Sequence, residues 1–176
     1  RYICFLLRNW RGFSEKAPVL AHCAEKAREQ FGLEPVFISI NAFQDKIAAE
    51  MVLGHMKNPG RLLEGTPGPE LLISLLGHMS IVVSMRLHGL IFSSLTGAPL
   101  VGVSYDPKIG SYLRYLGYGE CIDLGDATEE WLENAIAQAV EQIPQRQALA
   151  EKTERLSLVE RKNIAAVKEL LEGSGL

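Results

Sequence analysis

Arg86, His88 and Lys108 fall within one stretch, Ser80-Ile-Val-Val-Ser-Met-Arg-Leu-His-Gly-Leu-Ile-Phe-Ser-Ser-Leu-Thr-Gly-Ala-Pro-Leu-Val-Gly-Val-Ser-Tyr-Asp-Pro-Lys108, that reads strand, helix, strand. The pattern places all three where two helices begin, with Ser84 capping the first helix and Arg86 at its second position. A helix N-terminus carries partial positive charge on unpaired N–H groups, so cations there cost stability unless an anion arrives. Anion binding is therefore the first expectation. His88 adds a group that titrates near neutral pH and can move a proton.

The elements that must position these residues alternate regularly. Tyr2 to Leu7 is a continuous apolar run of strand length, the pattern of a strand buried on both faces. Ser14 opens a helix to Phe31. Strands are expected at Pro35–Ile40, Arg61–Glu64, Ile81–Val83, Leu100–Val103 and Cys121–Leu124, with helices between them and a last one capped by Thr128. This alternation predicts an α/β fold: a doubly wound, mostly parallel sheet with helices on both faces.

In such a sheet, ligands bind outside the carboxyl ends of the strands, where strand order reverses. With the common order 3-2-1-4-5-6, Arg8 after strand 1, Arg86 and His88 after strand 4, and Lys108 after strand 5 converge on that edge. Each has a plainer alternative. Arg8 and Lys108 could be solvated and His88 a satisfied core histidine, but His88 precedes Gly89, which removes a side chain where something must approach closely and so favours a catalytic or ligand role.

Residues 1–144 are expected to form this Rossmann-like unit, and residues 145–176 a long helical segment with a break near Ser157. Helical throughout from Gln145 to Glu172, it would span about 42 Å, so it packs on its own domain or reaches a neighbouring one.

Several classes are disfavoured. A formal charge of −3 gives no basic footprint for nucleic acid. No histidine pair has metal-ligand spacing, so no metal is expected. There is no G-x-G-x-x-G, no G-x-x-x-x-G-K-[ST] and no G-x-S-x-G. Cys4, Cys23 and Cys121 lack C-x-x-C spacing and read as reduced, buried thiols of a cytoplasmic protein. No apolar run approaches the ~18 residues of a membrane span, and the start has neither a signal peptide nor a Met, which suggests a piece of a longer protein.

Ser84-Met-Arg-Leu-His-Gly-Leu-Ile-Phe-Ser-Ser, followed by Pro99-Leu-Val-Gly-Val-Ser-Tyr-Asp-Pro-Lys108, resembles the signature of the polysaccharide pyruvyl transferase family. The resemblance is closest to the bacterial branch that pyruvylates secondary cell-wall polysaccharide for S-layer anchoring. Ser80 stands where an acidic residue is common in the family, and Gly89, Ser93 and Ser94 where alanine is.

The resemblance implies a glycosyltransferase-B-type fold of which this chain is the C-terminal, phosphoenolpyruvate-binding half, partnered by an absent N-terminal domain. It implies phosphoenolpyruvate as donor, no cofactor, and a saccharide acceptor that is lipid-linked in some members, worked on at the inner face of the cytoplasmic membrane. It further implies that Arg86, Lys108 and Arg8 bind the donor and that His88 is catalytic. Two alternatives stay open: the nucleotide-sugar half of a B-type glycosyltransferase, and a non-catalytic anion-binding domain.

Overall fold

In the computed structural model, which describes residues 1–158, six parallel strands form one sheet. They are β1 (Tyr2–Leu6), β2 (Glu34–Phe37), β3 (Arg61–Leu62), β4 (Ile81–Ser84), β5 (Leu100–Ser104) and β6 (Glu120–Asp123), in the order β3-β2-β1-β4-β5-β6. The helices are α1 (Phe13–Phe31), α2 (Gln44–His55), α3 (Pro69–Gly77), α4 (Leu87–Leu95), α5 (Pro107–Leu116) and α6 (Glu129–Gln142). The expected doubly wound sheet and its order are both present.

Alternate residues of the central strands serve two cores. Ile3, Phe5, Ile81 and Val83 pack under α1, α2 and α6, while Cys4, Leu6 and Val82 pack under α3, α4 and α5. That two-sided burial explains why β1 and β4 read as continuous apolar runs rather than alternating ones. The thiols of Cys4, Cys23 and Cys121 are free, and burial raises all three above the usual range, Cys121 to about 11. Among the described residues no helix is long and apolar enough to cross a membrane.

Helix starts depart from expectation in two places. α1 begins at Phe13 with Gly12 as its cap, because Phe13 is fully buried and its N–H already bonds the Trp10 carbonyl at 2.9 Å. Ser14 thus lies inside the first turn. Ser84 ends β4 instead of capping α4: its hydroxyl accepts from the Arg86 N–H and donates to the Arg86 carbonyl, both at 2.9 Å. This turn around buried Met85 delays the helix, leaving Arg86 extended as the cap residue and His88 at the second helical position.

Residues 146–158 are helical and pack on this same domain. Arg146 donates to the carbonyls of Met79 (2.6 Å), Thr96 (2.8 Å) and Leu76 (3.4 Å), which ties this helix to the chain where α3 and α4 end. Gly97, at φ 70°, has no room for a side chain, because a Cβ would run into the Arg146 carbonyl and Ala150. Ser157 itself is helical; the remainder of the expected segment lies outside the described residues.

Candidate functional site

Parallel register aligns Leu6 with Ser84, and Ser84 with Gly102, so β1 and β4 end at one level and β5 runs two residues further, to Ser104. Arg8 and Arg86 each stand two residues beyond that row, and Lys108 is the second residue of α5. The four residues picked out from sequence therefore share the carboxyl edge of the three central strands, the edge at which sheet order reverses.

Arg8 is held by aromatic rings. Its Nη1 donates to the Tyr105 hydroxyl at 3.2 Å, and its guanidinium carbon lies 5.3 Å from the Trp10 ring centre and 5.4 Å from that of Tyr105. Its Nε is buried without a partner among the described residues. A buried donor of this kind is costly unless something accepts from it.

Arg86 has an internal counter-ion. Its Nε lies 3.6 Å from Oδ2 of Asp45, in the first turn of α2. The same oxygen accepts from the N–H groups of Ile40 (3.0 Å) and Asn41 (2.8 Å), whereas Oδ1 is buried with no partner among the described residues. Burial raises the Asp45 carboxyl above its ordinary range, and the Asn41 N–H, Arg86, the Ile40 N–H and Arg8 oppose that rise. Asp45 therefore feels both arginines and ties them into one cluster.

His88 and Lys108 are exposed on the same edge, and among the described residues neither side chain carries a hydrogen bond or ion pair. The His88 ring is 6.1 Å from that of Phe92, one turn along α4. Among the described residues no side chain caps α4 and no acid occupies its first turn, so its leading N–H groups, beside Arg86 and His88, have no side-chain acceptor. α5 is different: Asp106 caps it, accepting from the Lys108 N–H at 2.9 Å, with Pro107 in the first position.

Gly89 is explained by packing. A Cβ there would lie 2.5 Å from Leu6 Cδ1 and 2.7 Å from Ser84 Oγ, so the close approach is the chain's own. It lets the start of α4 settle directly onto β1 and β4. His22 is structural, bonded to Glu133 at 2.9 Å. Glu64 lines a separate cavity of about 500 Å³ beyond β2 and β3. Among the described residues no group of three histidine, cysteine or acidic side chains could hold a metal ion.

Asp45 and the Trp10–Tyr105 pair escaped the sequence reading. Asn41, whose side chain accepts from the N–H groups of Phe43 and Gln44, marks the turn that presents Asp45, so a helix-start signal was there to find.

Solved structures share this fold at low sequence identity. UDP-GlcNAc 2-epimerase of Methanocaldococcus jannaschii, in complex with UDP-GlcNAc and UDP, superposes with a TM-score of 0.63 at 11% identity over 92% of this chain and 45% of its own. Spinosyn rhamnosyltransferase SpnG, complexed with thymidine diphosphate, gives 0.60 at 18% over 92% and 45%. Glycosyltransferase VinC, in complex with dTDP, gives 0.59 at 16% over 88% and 38%. The chain thus spans less than half the length of each. The sheet and helices are those of one half of the glycosyltransferase-B architecture.

No curated protein matches the chain in sequence. The sequence profile of one family does match, across residues 13–107, a stretch that holds Arg86 and His88 and stops immediately before Lys108. It covers more than half of the 176 residues and includes the carboxyl edge built around β4, and on that ground the chain belongs to the polysaccharide pyruvyl transferase family.

Proposed function

We propose that this chain is the donor-binding half of a transferase that moves the pyruvyl unit of phosphoenolpyruvate onto a sugar diol of a cell-wall polysaccharide precursor. The observation that carries the reading is the uncapped start of α4, flanked by Arg86 and His88 and joined through Asp45 to Arg8. A three-carbon donor bearing a carboxylate and a phosphate needs two anion-binding positions and a proton source. This edge offers both.

In this reading the α4 N–H groups and Arg86 hold one anionic group and Lys108 the other, with the unpartnered Nε of Arg8 available behind them. The reaction adds a proton to the donor methylene, which becomes the methyl group, and C2 then takes the oxygen of one sugar hydroxyl. The C2–O bond to phosphorus breaks, inorganic phosphate leaves, and the second hydroxyl oxygen closes the ketal. The two hydroxyl protons balance the methyl group and the released phosphate. His88, exposed at the second position of α4, is placed to serve one of these proton transfers.

Calorimetric titration separates this reading from a nucleotide-sugar one. The expected result is saturable heat with phosphoenolpyruvate, reduced in Arg86→Lys, and none with UDP. Binding of UDP with no response to phosphoenolpyruvate overturns the proposal in favour of a nucleotide-bearing donor, such as those named with the structurally similar enzymes.

A further inference from the structure

We propose that the cavity beside Arg8 is a saccharide subsite, so that this half of the fold contacts the acceptor as well as the donor. The cavity, about 760 Å³, lies between the start of α1 and the carboxyl ends of β5 and β6, and Arg86 and His88 are not part of its wall. Its size falls within the range of roughly 300–1,000 Å³ common for small-molecule sites.

One wall is aromatic and stiffened. Trp10 is 46% exposed, and its ring centre lies 4.7 Å from that of Tyr105 at an angle of 36°. The Arg8 guanidinium sits against both rings and bonds the Tyr105 hydroxyl, so the pair is braced from inside the protein. A large apolar ring left open to water on a braced support is a stacking surface for the C–H face of a flat ligand. The rest of the lining is polar and of both signs: Glu15 and Asp123 face the cavity together with Arg11 and Arg114, while Lys16 donates to the Ala127 carbonyl and Asp106 accepts from the Lys108 N–H. Neither the Glu15 nor the Asp123 carboxylate has a hydrogen bond among the described residues.

This mixture discriminates among ligand classes. A simple anion would meet the carboxylates unfavourably, and an apolar ligand would leave Glu15 and Asp123 without a donor. A polyhydroxylated ring suits both signs, since each hydroxyl donates to a carboxylate and accepts from a guanidinium. Position supports the same choice. Two cavity residues, Trp10 and Tyr105, touch Arg8, and a third, Pro107, precedes Lys108. A sugar held here lies next to Arg8 and Lys108, two of the three cations assigned to the donor, as transfer between two bound substrates requires.

The acceptor role rests on the pyruvyl-transfer reading; the binding of sugar does not. The test is saturation-transfer NMR on the full-length protein with methyl glucoside, methyl galactoside and the methyl glycoside of N-acetylglucosamine. Transfer to at least one glycoside is expected, undisturbed by phosphoenolpyruvate and retained in Arg86→Lys. Apparent affinity should fall roughly tenfold in Trp10→Ala and about threefold or more in Asp123→Asn, an exposed position that leaves the fold intact. No transfer to any of the three, equal transfer in both variants, or displacement by phosphoenolpyruvate or uridine overturns the subsite. Glycoside binding that persists while phosphoenolpyruvate fails to bind overturns only the donor assignment.

Discussion

The Arg86 guanidinium lies with Nε 3.6 Å from Oδ2 of Asp45, a carboxylate only 1% exposed, while Arg86 itself is 16% exposed. The anion expected beside a cation at a helix start is thus partly supplied from within the fold. Arg86 keeps its outward face toward the uncapped start of α4, and Asp45 fixes where that face points.

Removing one partner of this pair strands the other. Arg86→Ala is expected to destabilise the fold by roughly 1–3 kcal/mol, because Asp45 stays buried with its charge opposed only by two N–H groups and the more distant Arg8. The double variant Arg86→Ala/Asp45→Asn should regain part of that loss. Urea unfolding of the three variants checks it, and additive losses would show that the pair is not coupled.

Asp45 also sets a pH dependence. Its folded carboxyl is raised above the unfolded value of 3.8, so between the two the folded state binds the extra proton and stability falls as pH rises. Above the folded value the cost is fully present; below 3.8 it is absent. Asp45→Asn lacks this titration. Wild type should therefore gain stability relative to Asp45→Asn as pH is lowered from neutrality through the carboxylate range, measured by urea midpoints at matched ionic strength.

Gly89→Ala tests how tightly α4 is seated. The added methyl meets Leu6 Cδ1, which can rotate, and Ser84 Oγ, which is committed to two bonds with Arg86. A loss of roughly 1–3 kcal/mol is expected from overpacking, together with a weaker donor affinity as the start of α4 is pushed off the sheet. Thermal unfolding and donor titration on the same preparation check both.

Lys108→Ala should leave stability unchanged, since the side chain is exposed and only its backbone N–H is engaged by Asp106. Donor affinity should weaken by on the order of 1–3 kcal/mol, the range for losing a charge-assisted contact. Calorimetry with phosphoenolpyruvate measures it, and an unchanged affinity returns Lys108 to the surface.

Much of this was legible in the residues because the signals were local. The continuous apolar run of β1 announced two-sided burial, and the strand–helix–strand pattern around Arg86 announced β4, α4 and β5. What stayed hidden depended on tertiary approach. Nothing near Asp45 in sequence points to Arg86, because α2 reaches the edge only after the sheet has formed. Ser84 looked like a cap since serine's hydroxyl suits that task, but its bonds went to Arg86 two residues on, which displaced the helix start. Gly89 signalled a close approach, which the sequence reading linked to the role of His88; what approaches is Leu6 and Ser84 of the chain itself.

The most direct test of the central claim is phosphate release from phosphoenolpyruvate by His88→Ala in the full-length protein, with the sugar acceptor present. His88 is exposed and, among the described residues, makes only a ring contact with Phe92, so the variant should fold and bind donor as wild type does. Its turnover should fall by about 10²–10⁴-fold, the usual loss when a positioned acid or base is removed. Undiminished turnover would contradict the assignment of this edge as the place where the proton is transferred.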